Sequence, residues 1–227
     1  SNSLVTLNNA GTISATATTL TNGHTSVANA VDASLNTFGL TFTNTGTVQG
    51  AVLFGGGADT YTIVGTGSIT GQIATQTGDI NFGNSIGGTN LDTLNVGMFS
   101  NVSGAIPAQG ALDVNVATNA FLTVKNLPTS VSNNLQVHDL NLAGGSGLNT
   151  GTLNITVSSG LATIPLIQAS DAITFGTGAN LGIQFGGFIP QGGTFLLLSA
   201  PHGKLSIDPA DIARYDTQIG GAGNLPF

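Results

Sequence analysis

A short phrase of small and β-branched residues recurs along this chain and restricts its fold more than any other feature. It reads Asn-Ala-Gly-Thr-Ile-Ser at residues 9–14, Asn-Thr-Gly-Thr-Val-Gln-Gly at 44–50 and Gly-Thr-Gly-Ser-Ile-Thr-Gly at 65–71. Such repeats are typical of stacked-coil folds, because one repeat cannot bury its apolar face alone. Only 6% of the residues are charged, and glutamate is absent. Neutral Asn, Thr and Ser can lie above one another on successive coils, where a repeated charge would be repelled.

Charge and composition exclude several classes of partner. The net charge is −7, with 10 acidic against 3 basic side chains, which is the wrong sign for nucleic acid or for anionic lipid. The absence of cysteine excludes disulfides, thiolate metal sites and cysteine nucleophiles. No stretch approaches the ~20 apolar residues of a membrane helix. We therefore predict no nucleic-acid partner, no membrane span in this chain and no cofactor.

Residues 1–20 lack the basic start and apolar core of a signal peptide. The composition is nevertheless typical of an exported protein. We therefore expect a mature fragment or a processed product that works outside the cell.

Short alternating runs of apolar and polar residues predict β-strands along most of the chain. Each run is bounded by Gly, Asn or Asp, so turns recur about every 8 to 12 residues. The clearest runs are residues 112–116, 135–137, 140–142, 153–157 and 181–185.

Glycine-rich corners favour a solenoid over other all-β folds. At 54–63, 86–96 and 144–153 the glycines are followed by a polar residue and then by a strand. Parallel strands stacked ~4.8 Å apart place equivalent residues of these repeats above one another. We predict an all-β, parallel β-solenoid of about ten coils with roughly 20 residues each. A pair of antiparallel β-sandwiches is the alternative, and strand direction separates the two.

One segment near the C-terminus predicts a helix. Asp208 is a good N-cap, Pro209 suits the first helical position, Asp211 lies in the first turn and Arg214 in the last. We expect one or two turns of helix that cap the solenoid.

The chain divides into a stem and a C-terminal part. Residues 1–149 form the predicted β-helix stem, in which 15–38 interrupt the repeat as a candidate protruding loop. Residues 150–227 supply the last coils, the cap and a glycine-rich tail.

Three segments of the chain resemble the repeats of autotransporter passenger domains from Gram-negative bacteria. They are the phrase at 44–50, Gly-Gly-Gly-Ala-Asp-Thr-Tyr-Thr-Ile at 55–63 and Gly-Ser-Ile-Thr-Gly-Gln-Ile at 67–73. Residues 150–208 are similar to the end of such a passenger, where a glycine-rich hairpin precedes an apolar strand. The resemblance implies a right-handed parallel β-helix that is presented at the bacterial surface. It also implies an autochaperone-like C-terminal region that folds first and templates the remaining coils.

Asp59 and Asp92 are the candidate metal ligands, since each follows a glycine-rich corner as in Ca²⁺-binding β-roll repeats. Shared ligation would need tandem nonapeptides between them, and the sequence has none. We therefore interpret both as turn residues that bond their own backbone, and predict no metal site.

The sequence offers few groups of residues that could act together in catalysis. The string Gly-Asn-Ser-Ile-Gly at 83–87 matches a hydrolase elbow, but the elbow needs a following helix, and residues 89–96 predict a strand. The histidines His24, His138 and His202 are scattered, and His138 is expected to face outward from an alternating strand.

Charged residues suited to polysaccharide cleavage are equally sparse. The basic residues are Lys125, Lys204 and Arg214, and capping explains Asp208 and Asp211. We predict that the protein is not an enzyme.

The aromatic residues are mainly phenylalanines in strand runs, for which we expect internal stacking rather than a sugar-binding platform. No binding residues can be assigned, and 15–38 is the first place to look for them.

The expected function is that of a non-enzymatic surface stalk or adhesive segment of an autotransporter passenger, with its C-terminal part as folding nucleus. Its partner would be a host surface, a neighbouring cell or a second copy of the chain. A self-assembling filament or surface-layer subunit and a carbohydrate-active β-helix are the alternatives. The assembly state of the chain in dilute solution tests the filament alternative, and turnover of polysaccharides tests the carbohydrate-active alternative.

Overall fold

Strands dominate the part of the chain that the structure describes, and there a single helix follows them. The computed structural model describes residues 4–16, 28–65, 74–76, 80–81, 92–96, 100–102, 112–125, 135–146, 149–158, 165–186 and 196–220. The elements in chain order are β1 (Val5–Asn9), β2 (Thr12–Ser14), β3 (Asn29–Asp32), β4 (Leu40–Asn44), β5 (Thr47–Gln49), β6 (Ala51–Leu53), β7 (Thr60–Ile63), β8 (Ala74–Gln76), β9 (Ile80–Asn81), β10 (Asp92–Val96), β11 (Ser100–Val102), β12 (Leu112–Val116), β13 (Ala120–Lys125), β14 (Leu135–Leu142), β15 (Gly151–Ser158), β16 (Ile167–Phe175), β17 (Asn180–Gly186), β18 (Leu198–Ser199), β19 (Lys204–Ser206) and α1 (Pro209–Gly220).

These strands form three sheets in which chain order follows spatial order. The nine-stranded sheet runs β1-β4-β7-β10-β12-β14-β16-β18, with β19 also beside β16, and the seven-stranded sheet runs β17-β15-β13-β11-β8-β5-β2. A third sheet contains β3, β6 and β9. Every pairing between these named strands is parallel. The described strands are thus consistent with the predicted parallel solenoid and not with antiparallel sandwiches.

Coil length varies much more than the sequence suggested. Equivalent residues on neighbouring coils are separated along the chain by 35, 19, 33, 20, 26 and 33 residues. The path through the larger sheet has eight strands, so the expectation of ten coils of roughly 20 residues is wrong. The pairing constrains the strands but leaves the length of the connecting segments free.

The core is made by the inward positions of the alternating strands. In β10 and β12 the residues alternate between buried and half-buried, with Leu94, Val96, Val114 and Val116 almost fully enclosed. All five strand runs chosen from the sequence lie within observed strands, namely β12, β14, β15 and β17. The period-2 pattern was a reliable signal because one face of each strand is buried.

An aromatic stack fills the core between the first coils. The rings of Phe42 and Tyr61 lie 4.7 Å apart and are nearly parallel, and Phe54 packs 5.7 Å from Tyr61. All three side chains are buried. Internal stacking is therefore confirmed for these rings, whereas Phe38 is 49% exposed.

The asparagine that opens the repeated phrase makes a ladder at one corner. Asn9 Nδ2 donates to Asn44 Oδ1 at 2.8 Å, and Asn44 Nδ2 donates onward to the Thr75 carbonyl at 3.2 Å. Each Oδ1 also accepts the backbone N–H two residues later, from Gly11 and Gly46. This double use explains why the first two copies of the phrase begin Asn-x-Gly, since the amide closes its turn and joins the next coil.

Helix α1 starts as predicted but extends further. Asp208 Oδ1 accepts the Ala210 N–H at 2.9 Å, which is the N-cap bond. The helix has 12 residues instead of one or two turns. No helix among the described residues is long and apolar enough to cross a membrane.

The inner side of α1 packs on the corner between β16 and β17. The Tyr215 hydroxyl donates to the Ala179 carbonyl at 2.5 Å, and its ring meets Phe175 edge-on at 6.3 Å. Asp211 Oδ2 accepts the Gly178 N–H at 2.7 Å, and Arg214 donates to Asn180 Oδ1 at 2.7 Å. These contacts fix the helix over the last described corner of the seven-stranded sheet.

Part of the candidate loop 15–38 is regular structure. Residues 29–32 form β3 and pair with β6, while residues 17–27 lie outside the described residues. The segment 33–39, here called the Leu35 loop, carries Leu35 at 95% exposure and leads into β4.

Two glycines of the triplet after Phe54 are needed because the Leu35 loop lies directly against them. A Cβ on Gly55 would stand 1.7 Å from the Asn36 carbonyl oxygen, and one on Gly57 would stand 1.9 Å from the Gly39 nitrogen. The Gly56 N–H donates to the same Asn36 oxygen at 2.8 Å, while a Cβ on Gly56 would meet nothing within 4 Å. Close approach of two backbones therefore sets the need for glycine at Gly55 and Gly57.

We expect Gly55→Ala to destabilise the stem and Gly56→Ala to have little effect. The first adds a methyl group inside a backbone contact and should lower the free energy of unfolding by about 1–3 kcal/mol. The matched control adds the same methyl to open space and should change it by less than about 0.5 kcal/mol. Urea unfolding followed by circular dichroism measures both, and equal midpoints for the two variants would contradict this account of the triplet.

Candidate functional site

The outer face of the nine-stranded sheet carries two ranks of in-register polar side chains, called here the Thr/Asn face. Residues two apart on each strand face outward, and each pairs with its equivalent on the next coil. Hydroxyls occupy the first coils, whereas amides and carboxylates occupy the later ones. One rank is Thr41, Thr60, Thr93, Asp113 and Asp139, and the other is Thr43, Thr62, Asn95, Asn115 and Asn141.

The second rank is joined by a chain of side-chain hydrogen bonds. Asn141 Nδ2 donates to Asn115 Oδ1 at 3.1 Å, and Asn115 Nδ2 donates to Asn95 Oδ1 at 3.1 Å. Asn95 Nδ2 continues the chain to Thr62 Oγ1 at 3.3 Å. Each amide is thereby held at a fixed orientation on the surface.

A groove of about 320 Å³ lies along this amide ladder. Its walls come from the ladder and from the ends of three neighbouring strands. The lining residues are Asn95, Val96, Asn115, Val116, Ala117, Asn141, Leu142 and Ala143. The lining of this groove is mostly apolar, because the amides of the ladder are hydrogen-bonded to one another.

The first rank ends in a cluster of one imidazole and two carboxylates. His138 Nδ1 lies 2.9 Å from Asp113 Oδ1 and 3.7 Å from Asp139 Oδ2. Asp113 and Asp139 are register partners on β12 and β14, so their side chains emerge one above the other. The three side chains are 23–38% exposed, so solvent reaches the cluster.

A β-bulge shapes this cluster. Val137 pairs with Ala169 but Asp139 pairs with Ala172, so Ser170 and Asp171 together oppose His138. The Ala172 N–H donates to Asp139 Oδ1 at 2.8 Å, which fixes that carboxylate. The hydrogen bond that His138 Nδ1 donates to the Asp113 carboxylate raises the pKa of His138, and the negative charges of Asp139, Asp113 and Asp171 act in the same direction.

Asp59 and Asp92 occupy equivalent places in successive coils, and both are 1% exposed. Asp59 Oδ1 accepts the Leu40 N–H of the preceding coil at 2.6 Å, and Asp92 Oδ1 accepts the Asp59 N–H at 2.8 Å. The carboxylates therefore join coils, whereas the sequence suggested bonds within their own turns. The second oxygen of Asp59 has no hydrogen-bond partner, and burial raises the pKa of Asp59 to about 6.

Among the residues that the structure describes, the others singled out from the sequence are not brought together into a site. His202 lies exposed in the turn before β19, and Lys204 is an exposed residue at the start of that strand. Asp208, Asp211 and Arg214 belong to the cap. His24 and the string at 83–87 lie outside the described residues, and the side chain of Lys125 does so too.

Sequence reasoning missed the His138 cluster because its members lie 25 residues apart. Each of Asp113 and His138 looked like an ordinary outward residue of an alternating strand. The register between coils was the missing information, and an irregular coil length hides that register.

No protein-family model, curated protein or solved structure matches this chain. The functional argument therefore rests on the residues and their geometry.

Asp59→Asn should remove a pH dependence from the stability of the stem. The folded-state pKa of about 6 exceeds the ordinary 3.8, so stability present below about pH 4 is lost as pH rises through about 6. That displacement corresponds to about 3 kcal/mol across the window. The variant keeps an acceptor for the Leu40 N–H, so its urea-unfolding free energy should stay flatter between these pH values.

Asp32→Asn is the control, because the pKa of Asp32 is shifted in the opposite direction to that of Asp59. Hydrogen bonds from Ser34 lower the pKa of exposed Asp32, so its contribution is present above its unfolded pKa and is lost as pH falls. Identical pH profiles for wild type and Asp59→Asn would contradict the assignment.

Proposed function

We propose that this chain is a non-enzymatic stalk or adhesive segment of an extracellular autotransporter-type passenger. The observation that carries the proposal is the uninterrupted parallel pairing of the nine-stranded sheet, with a largely neutral outer face. The repeated phrases at 44–50 and 55–63, which resemble autotransporter passengers, support it. Its partner would be a host surface or a neighbouring cell.

A right-handed coil is part of this proposal. Connections between parallel strands of one sheet are right-handed in about 98% of proteins. Seven spacings of ~4.8 Å along the larger sheet give a rod on the order of 34 Å. A rod of this kind holds any more distal part of a passenger away from the cell.

The C-terminal coils are suited to be the folding nucleus. β15, β16 and β17 have 8, 9 and 7 residues, whereas β5, β6 and β7 have 3, 3 and 4. Longer pairings supply more backbone hydrogen bonds per coil, and α1 docks on the same coils. In a solenoid, stability follows such local terms because each coil contacts only its neighbours.

The filament and the carbohydrate-active β-helix, the two alternative functions, each require different features of the structure. Helix α1 lies over the last corner of the seven-stranded sheet, which counts against end-to-end stacking into a filament. The groove beside the amide ladder is the place where a carbohydrate-active β-helix would have to hold its substrate, but its lining is mostly apolar. Since Asp59 and Asp92 are buried, a polysaccharide turnover screen should use Asp113→Asn instead, and activity lost with that variant would overturn the stalk proposal.

Surface display tests the main proposal. The full chain would be placed between an N-terminal epitope and a translocating barrel in a Gram-negative host. External protease should release the epitope from a folded, protease-resistant rod. An epitope that stays inside the cell while the purified chain folds normally would contradict a passenger role.

We expect Ile155→Asp to impair the whole rod and Val48→Asp only its own neighbourhood. Both side chains are 0% exposed, so each substitution buries an unpaired charge that costs several kcal/mol. Ile155 lies in the proposed nucleus, whereas Val48 lies in the stem. Leu197, an apolar residue of the same C-terminal region, is only half-buried, so an aspartate there would test the nucleus less sharply than Ile155→Asp.

Hydrogen exchange measures this difference. Amides of β15–β17 should be the slowest in wild type, and Ile155→Asp should accelerate exchange in every coil. Stem amides that outlast those of β15 would contradict a C-terminal nucleus.

Tyr215→Ala should release the cap and promote self-association. Tyr215 is 5% exposed and packs on Phe175, so its loss should cost about 3–5 kcal/mol of local stability. Ile212→Ala, at a side chain that is 46% exposed on the same helix, is the control. Sedimentation velocity should show oligomers for the first variant alone, and a monomeric Tyr215→Ala protein would argue against a protective cap.

A further inference from the structure

The side chains of Asp113, His138 and Asp139 form a set of metal-ligand atoms at the junction of two coils. One atom from each lies within 4.8 Å of the others. We propose that these three residues bind a divalent transition-metal ion of the Zn²⁺ class and thereby clamp the β12 coil to the β14 coil. The inference is independent of the stalk function.

The distances suit such an ion. Zn²⁺ binds imidazole nitrogen and carboxylate oxygen at about 2.0–2.2 Å, which puts tetrahedral ligands roughly 3.4 Å apart. His138 Nδ1 lies 2.9 Å from Asp113 Oδ1 and 3.7 Å from Asp139 Oδ2, on either side of that separation. Small side-chain rotations would therefore place all three atoms around one ion.

The backbone holds the ligands in position. In β14 the alternation breaks, and His138 and Asp139 are both half-exposed between the buried Val137 and Leu140. The bulge opposite them, at Ser170 and Asp171, accompanies this break. Bulges of this kind re-aim side chains at functional sites.

Asp139 has a fixed orientation for ligation. Its Oδ1 accepts the Ala172 N–H at 2.8 Å, while its Oδ2 faces His138. A hydrogen bond to the non-ligating oxygen is the usual support of a metal-binding carboxylate.

A cation would also offset a local repulsion. Asp113 and Asp139 are directly opposed on neighbouring strands, where like charges destabilise a sheet. The imidazole in the set favours Zn²⁺ and related ions over Ca²⁺ and Mg²⁺, which prefer oxygen ligands alone. Three protein ligands leave a position for water, as in open zinc sites.

Calorimetric titration of the full chain with zinc chloride near neutral pH tests the proposal. One zinc per chain should bind, and Ca²⁺ should neither bind there nor displace it. His138→Ala and Asp113→Asn should each weaken binding at least about tenfold. The matched control is His202→Ala, which removes an exposed histidine of a turn and should leave the affinity unchanged.

Spectroscopy keeps the test decisive if a variant folds poorly. In wild type, zinc should shift the ¹⁵N resonance of His138 Nδ1, and Co²⁺ should give the intense visible bands of a four-coordinate site. Absence of zinc binding, an unshifted Nδ1 resonance, or equal affinity in His138→Ala would each overturn the proposal and leave the cluster a simple ion pair.

Discussion

Parallel hydrogen bonding between coils is the constraint on which the rest of this protein depends. It places each residue directly above its equivalent on the next coil. Every side chain must therefore be compatible with a similar side chain about 4.8 Å away. Thr60 lies between Thr41 and Thr93, and Asn115 lies between Asn95 and Asn141. Hydroxyls and amides meet this requirement because each can donate and accept, whereas repeated charges cannot. The scarcity of charge is therefore a property of the stacking itself.

Where charges do occur in the stack, another group accompanies them. Asp59 and Asp92 are buried one coil apart, and each accepts a backbone N–H from the coil before it. Asp113 and Asp139 are opposed at the surface, and His138 lies against both. At the end of the rod, Arg214 meets Asp211 and the face of the Tyr215 ring. Each exception marks a place where coils or elements are joined.

The sequence predicted what depends on neighbouring residues and missed what depends on the register. The run 112–116 and the helix start at Asp208 were correct, because alternation and capping are local signals. The length of each coil was not predictable, since nothing local decides how far the chain travels between strands. The His138 cluster and the contact of Gly55 with the Leu35 loop both follow from that length, so neither could be located from the sequence.

The unequal coils have an evolutionary consequence. The register of the sheet is the same whether a coil takes 19 residues or 35. Residues can therefore be gained or lost at a corner without changing which side chains stack in the strands. Such a scaffold separates two kinds of variation, because the strands conserve the rod while the corners are free to diversify. New surface features can then arise by insertion, one coil at a time, with no redesign of the core.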